Sequence, residues 1–535
     1  MQTEWRYAID GRDKSSGEII TEIFEHRGFD IDEFLRPKEE DIFDSERLHN
    51  IEKAYDILMR GIAEGKSLLC WSDTDLDGCS SAAIMYKYLK GMTDNVEVYI
   101  NEGKEHGVKG YNDINIEADI IIVVDSINGF EYYEPMLADG KQVIILDHHE
   151  IKDVTAFDKP NIALVSSVND YPNEQLSGAG VVWKFCRYID EQELDNRADD
   201  LADLAACGII ADMCDMSVPE NRAICDKGLS NPQSLAIKQI NGSYPFNAQA
   251  VSFGIAPLVN AAQRLRKNRL ALDLFLSDDA DEVKRLVKEL KQCKEEQNEI
   301  VEMLLPEIML QAQDQIDNKV ICVVIDTEAD VSGLLANKLM AIYQRPVLVL
   351  KNLDTEYGGS GRGYGIEDFM TYVNDTGVAK AEGHPNAFGV IVDKDNLPDL
   401  LLRLDSDLRD VEFKVVNEAN VLVDIEQIDD VLINNFKAID RISGTGFKPL
   451  TVMLQGVEDY IVGNMSKGKH LKLDCGGVLL IKWNFDGDWN EFDGRPVDVI
   501  GTLTSGYFGK TFYRQVIIQD YKVGDNDAQE MGSGV

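Results

Sequence analysis

The segment Ser72-Asp73-Thr74-Asp75-Leu76-Asp77-Gly78 sets three carboxylates at alternate positions, directly after the apolar run SLLCW. Carboxylates this close repel one another unless a cation is held among them, so the spacing points to a hard divalent ion. An EF-hand loop opens the same way, but it lies between helices and needs a Glu at its twelfth position. Counted from Asp73, that position is Ile84. A helix cap needs one Asp, not three. Matching groups stand at the ends of other apolar runs: Asp125 after IIIVV, Asp147-His148-His149 after VIIL, and Asp212 after GIIA. Carboxylates with one or two imidazoles suit Mn²⁺ or Mg²⁺ better than a thiolate metal. Two such ions about 3.5–4 Å apart, bridged by a carboxylate, activate water and neutralise a phosphoryl transition state. The nine cysteines include no CxxC pair, which argues against zinc ribbons and redox pairs and for buried thiols in a reducing compartment.

An α/β fold would bring these residues together. Short Ile/Val-rich runs (SLLCW, NVEVYI, ADIIIVVDS, QVIILDHH) alternate with helical stretches, the pattern of a parallel sheet covered on both faces. Loops at the carboxyl ends of such strands meet in one crevice. Residues 1–65 read as a helical lead-in, 66–277 as the parallel-sheet domain, and 278–318 as connector helices with a solvated charged face. A smaller α/β unit with a Gly-rich turn fits 319–405. Several short strands over 406–524, among them EFKVV and VLLIKW, suggest an all-β barrel, and 525–535 reads as a disordered tail.

With these residues in view, the chain resembles the DHH phosphoesterase superfamily. Four motifs occur in order: DTDLDG (73–78), VVDS (123–126), LDHHE (146–150) and GIIADMCDMSVPENR (208–222). The resemblance implies Asp75, Asp77, Asp125, His148 and Asp212 as metal ligands, with Asp125 bridging two ions. It implies His149 as a group facing the scissile phosphate and Asp147 as the residue that orients a histidine. Many members carry a His where this chain has Trp71, so the first ion would either lack a nitrogen ligand or lean on Asp73. The second half resembles the associated DHHA1 substrate domain in GGSGRGYGIEDF (358–369) and GHPNAFGVIV (383–392). Glycines such as Gly361 would let backbone amides approach a phosphate, with Ser360, Arg362 and His384 as contacts.

The connector and the barrel make the chain, over roughly residues 20–522, similar to the RecJ branch, whose barrel is an OB-fold. SGAGVVWKF (177–185) and IAPLVNAAQRL (255–265) resemble internal RecJ motifs, implying Asn260 and Arg264 as substrate contacts. The branch has Arg where this chain has Leu258, and Gly where it has Gln263. Lys104, His106 and Lys109 lie where it carries a basic residue that captures phosphate, and Lys109 is taken for that role. The resemblance implies 5′-to-3′ hydrolysis of single-stranded DNA to mononucleotides in repair, recombination or replication. The implied partners are a single-strand-binding protein or a helicase. The alternatives are a phosphodiesterase of short oligonucleotides or cyclic dinucleotides, which lacks connector and barrel, and an inactive replication scaffold, which loses metal ligands.

Charge bounds the mode of binding. With 95 acidic and 53 basic side chains the net charge is -42, which argues against a non-specific nucleic-acid coat. Residues 441–514 hold nine basic and eight acidic side chains, with Trp483, Phe485, Trp489, Phe492, Tyr507, Phe508 and Tyr513 interleaved, a composition suited to single strands. No apolar run is long enough for a membrane helix, and no signal peptide opens the chain, so the expected location is cytoplasmic.

Overall fold

The computed structural model describes residues 4–103, 105–485, 487–492, 494–508 and 511–524. The disordered tail expected over 525–535, Lys104 and the side chain of Phe508 lie outside the described residues. The chain divides into two compact units, one of residues 42–214 and 224–415, the other of 4–41, 215–223 and 416–524.

The first unit carries two sheets. One is a five-stranded parallel sheet in the order Val96–Ile100, Leu68–Ser72, Ile120–Val124, Gln142–Asp147, Ile162–Ser166. All but the edge strand Val96–Ile100 are almost wholly buried, which their apolar Val/Ile/Leu-rich runs require. Leu69, Trp71, Ile121, Val123, Val143 and Ile145 pack one face against Tyr133 and Met136. The helices Leu76–Lys90, Gly178–Glu193 and Ala202–Ala211 pack among themselves around this sheet. The strand order reverses at Leu68–Ser72, so the switch point lies between this strand and Ile120–Val124.

The second sheet runs Ala379–His384, Ala387–Asp393, Glu356–Arg362, Val347–Asn352, Ile321–Ile325. The sequence led us to expect a Gly-rich turn here, whereas Glu356–Arg362 is the central strand. Its glycines serve close packing. A Cβ on Gly359 would lie 2.1 Å from Val349 O, and one on Gly361 would lie 2.3 Å from the Phe388 ring. The connector is one 34-residue helix, Ala280–Gln313. Its buried stripe Val301, Leu304, Ile308 and Ala312 packs on Ile321, Val323 and Leu335.

The other unit is built on an eight-stranded mixed sheet, the expected all-β part. Two expectations are corrected. Residues 4–10 are not part of a helical lead-in; Glu4–Asp10 is a strand that pairs in parallel with Val416–Leu422. That partner lies some four hundred residues away, and local periodicity carries no trace of it. The strand expected at EFKVV begins only at Val416. The long hairpin Val497–Phe508 and Thr511–Val523 forms the middle of the sheet. Among the described residues no helix is long and apolar enough to cross a membrane.

A candidate metal centre and phosphate pocket

Sheet register brings the acidic residues together. Ser72 pairs with Val124, so Asp73 and Asp125 emerge side by side at the switch point. Val124 pairs with Leu146, and the Asp125 amide donates to Leu146 O at 2.9 Å, which sets Asp147 beside it. Asp125 adopts φ +55°, a left-handed backbone that is strained in a non-glycine residue and recurs at functional sites. Asp212 arrives differently. It caps the C-terminus of the helix Ala202–Ala211 and does not end a strand.

The donors form three overlapping groups, in each of which ligand atoms lie within 4.8 Å of one another: Asp73, Asp75 and Asp125; Asp77, His148 and Asp212; Asp125, His148 and His149. Asp125 is shared by the first and third groups, and His148 by the second and third. His148 Nε2 stands 3.2 Å from Asp125 Oδ1 and 3.9 Å from Asp77 Oδ2, and its Nδ1 is 3.7 Å from Asp212 Oδ2.

This donor set fits a pair of hard divalent cations. Burial, then the neighbouring charges of Asp77 and Asp75, drives the Asp125 carboxyl well above its usual range. Burial likewise raises Asp73 and Asp77, and pushes Asp212 up to about 6. Asp125 Oδ1 is buried without a hydrogen-bond partner, an orphaned acceptor that a cation would satisfy.

The surrounding residues fix these ligands. Both oxygens of Asp77 accept from the first amides of the helix Gly178–Glu193, Gly178 N at 2.8 Å and Ala179 N at 3.0 Å. Asp75 caps its own helix, accepting from Gly78 N at 3.0 Å. Two glycines make room. A Cβ on Gly178 would lie 2.3 Å from Asp125 Oδ1, and one on Gly208 would lie 2.1 Å from Asp77 Oδ1. Asp147 holds His149, with Oδ1 2.9 Å from His149 Nδ1 and Oδ2 accepting the His149 amide at 3.1 Å. The pairing leaves Nε2 as the nitrogen His149 presents. Burial opposes its charge, but the Asp147 carboxylate outweighs burial and raises His149 to about 9.

A second cluster is cationic. Ser360 and Arg362 end their strand at the N-terminus of the helix Ser332–Tyr343: Ser360 Oγ is 2.9 Å from Ser332 Oγ, and a Cβ on Gly333 would lie 2.8 Å from Arg362 Nη2. Arg362 Nε donates to Asn337 Oδ1 at 3.0 Å, and Arg264 Nη1 to Gln297 Oε1 at 2.9 Å. Burial and then Arg362 lower the pKa of Arg264; burial and then Arg264 lower that of Lys294. Among the described residues none of these three cations is paired with a carboxylate. Charges of one sign gathered beside a helix N-terminus suit a phosphate. The residue before Arg264 reaches the acidic centre, because Gln263 Nε2 donates to Thr74 Oγ1 at 2.8 Å. The departure at Gln263 thus ties the two clusters together, while Leu258 is buried core.

Other expected contacts are placed elsewhere. Gly361 hydrogen-bonds within the sheet and packs on Phe388, so its amide does not serve a phosphate. His384 is exposed at a hairpin end, and among the described residues no hydrogen bond or ion pair joins it to the cluster. The Lys109 ammonium lies 5.8 Å from the Tyr132 ring centre, and its charge acts on the Glu382 carboxyl. Asn260 lies one helical turn before Arg264, half-buried and without a bond to either cluster. Reading the sequence missed Lys294, Gly178, Gly208 and the clamping role of Gln263. Glycines inside helices, where Ala is the better former, were the available signal for two of them.

Residues 67–209 match the DHH family, N-terminal domain. A SPbeta prophage-derived protein of Bacillus subtilis, YorK, named for single-strand DNA-specific exonuclease activity, is 30% identical over 465 residues, 79% of this chain and 78% of its own length. The chain belongs to the RecJ family of DHH phosphoesterases. The single-stranded-DNA-specific exonuclease RecJ of Bacillus subtilis is 26% identical over 95% of this chain and 68% of its own length. RecJ from Thermus thermophilus, solved in complex with Mn²⁺, shares the fold with a TM-score of 0.79, at 23% identity, covering 98% of this chain and 80% of that one. A RecJ solved with manganese is 25% identical with a TM-score of 0.57, covering 68% of this chain and 96% of that one. The chain is a RecJ-family nuclease, and its membership rests on the 30% identity to YorK across most of both chains.

Proposed function

We propose that the chain is a 5′-to-3′ exonuclease that degrades single-stranded DNA to mononucleotides, with two divalent cations, Mn²⁺ or Mg²⁺, as cofactors. The convergence of Asp73, Asp75, Asp77, Asp125, His148 and Asp212 at one sheet end, next to an uncompensated cationic pocket, carries this reading. The names of the Bacillus relatives support the substrate. Bound there, the cations would supply the Lewis acidity that activates water and neutralises charge on the phosphoryl group.

The protein's own groups do the rest. Arg362, Arg264 and Lys294 attract the phosphate, and Ser360 contributes a hydroxyl. A terminal phosphate carries more charge than an internal diester, so an unpaired cationic pocket favours a 5′-phosphorylated end. His149, held by Asp147, whose carboxylate raises its pKa to about 9, would present Nε2–H to a phosphate oxygen or to the leaving 3′-oxygen. In the C-terminal unit Tyr507, Phe512 and Trp483 are exposed at 75%, 46% and 45%, whereas Phe485 and Phe492 are core. The exposed rings suit base stacking along a strand. The net charge of -42 opposes non-specific capture of DNA, which favours delivery by a helicase or a single-strand-binding protein in the cytoplasm.

Strands labelled at either end and carrying a 5′-phosphate test this reading. Mononucleotides released from the 5′ end alone support it; equal loss of a blunt duplex contradicts it.

A further inference from the structure

His106 lies outside all four sequence motifs, yet its Nδ1 is 2.7 Å from Asp73 Oδ1. Asp73 is buried and belongs to the group it forms with Asp75 and Asp125. The strand that leads into Asp73 supplies no imidazole. Trp71 is fully buried on the core face, edge-on to Tyr99 with ring centres 4.7 Å apart.

The loop that brings His106 to this place is braced from three sides. Asn101 Nδ2 donates to Gly107 O at 2.7 Å and to Glu105 O at 3.2 Å. Asn268 Nδ2 donates to Asn101 O and Gly103 O, each at 2.7 Å. Val108 N donates to Asn128 Oδ1 at 2.6 Å. Gly107 takes φ +72°, and a Cβ there would lie 1.9 Å from Asn128 Oδ1, so only glycine fits the turn. Asn101 and Asn268 are 4% and 3% exposed, and buried amides that converge on one loop hold its conformation. The His106 side chain itself stays 61% exposed, so the bracing serves its position rather than core packing. It mirrors the pair on the other side of the crevice, where Asp147 orients His149.

We propose that His106 is a positioning residue of the metal centre: its Nδ1–H donates to Asp73 Oδ1 and leaves Oδ2 as the oxygen turned to the ion shared with Asp75 and Asp125. Groups that orient metal ligands in this way typically govern about 10–100-fold in metal affinity. The inference rests on the divalent-cation reading of the acidic crevice.

The test is titration of Mn²⁺ alone into the full-length, chelator-stripped protein, followed by calorimetry and by the electron paramagnetic resonance of free Mn²⁺. Wild type should bind two ions. His106→Ala should weaken one of them by about 10–100-fold and leave the other nearly unchanged. His106→Asn, whose amide nitrogen can take the place of Nδ1, should restore most of the loss. Matching thermal unfolding of the three proteins shows that the fold is kept. Two wild-type affinities in His106→Ala overturn the positioning role. A folded His106→Asn as weak as His106→Ala also overturns it, because the imidazole would then be a ligand itself. A wild-type protein that binds no Mn²⁺ overturns the underlying metal reading instead.

Discussion

Replacing Gly178 by Ala sets two opposed effects against each other. Gly178 is the first residue of the helix Gly178–Glu193, and even the full helix-interior advantage of Ala over Gly is only about 1 kcal/mol. Here the new Cβ would lie 2.3 Å from Asp125 Oδ1 and 2.6 Å from both Cβ and Cγ of that residue. Ordinary contact needs a retreat of about 1 Å. Asp125 has little freedom to retreat, since its backbone is held at φ +55° and its amide is bonded to Leu146 O. Overpacking of this kind costs about 1–3 kcal/mol, which outweighs the helix gain and leaves a modest net loss of stability. The functional loss is larger. A ligand displaced by about 1 Å costs on the order of 100-fold in rate. Mn²⁺ affinity should fall about 10–100-fold in parallel. Calorimetric Mn²⁺ titration, initial rates on a labelled single strand and thermal unfolding of Gly178→Ala read all three quantities. Wild-type Mn²⁺ affinity and wild-type rate in a folded Gly178→Ala protein would refute the claim that Asp125 is wedged at the centre of the site.

Other outcomes follow from the same geometry. His149→Ala should lose rate by about 100-fold or more while Mn²⁺ occupancy changes far less, as expected of a substrate-facing acid; an equal loss of both would make it a ligand. Arg362→Ala and Lys294→Ala should each flatten the salt dependence of strand binding by about 0.7 in the log–log slope, and an unchanged slope would remove that side chain from the phosphate contact. Tyr507→Ala and Phe512→Ala should weaken binding of long strands by about 1–3 kcal/mol per lost stack and spare very short oligonucleotides; unchanged long-strand affinity would exclude stacking there. Burial pushes Asp440 up to about 7, against the Leu450 amide and Arg27. The folded state therefore holds the extra proton between the ordinary carboxylate pKa and about 7, and stability falls as pH rises through that window. Asp440→Asn keeps the acceptor for Leu450 N and removes the ionisation cost, so its advantage over wild type in urea should grow from pH 5 to pH 8, by at most about 3 kcal/mol. A constant difference across that range would contradict this account of Asp440.

The parallel sheet and most of the candidate metal cluster were legible because each signal was local. Unbroken Ile/Val runs marked buried strands, and Asp or His at their carboxyl ends marked one crevice. What escaped depends on contacts through space. Glu4–Asp10 looked like part of a helical lead-in because its partner Val416–Leu422 comes at the far end of the chain. The glycines of 358–361 looked like a phosphate turn, yet they are a central strand thinned to admit Phe388 and the Val349–Leu350 backbone. Lys109 stands beside the Tyr132 ring and His384 at a hairpin end, apart from the Arg264–Arg362 pair. Lys294 sits in a charged helical repeat, where nothing in the sequence separates it from its solvated neighbours. Gln263 departs from the family pattern and still serves the site through Thr74.

The measurement that bears most directly on the central claim is hydrolysis of a 5′-phosphorylated single strand by the wild-type protein and by Asp125→Ala, each with Mn²⁺ and with chelator. Asp125 is shared between donor groups and is predicted to serve both ions. Wild type with Mn²⁺ should release mononucleotides, while chelator or Asp125→Ala should abolish release. Cleavage by Asp125→Ala above about a tenth of the wild-type rate, or cleavage that survives chelation, would contradict a two-ion centre built on that carboxylate.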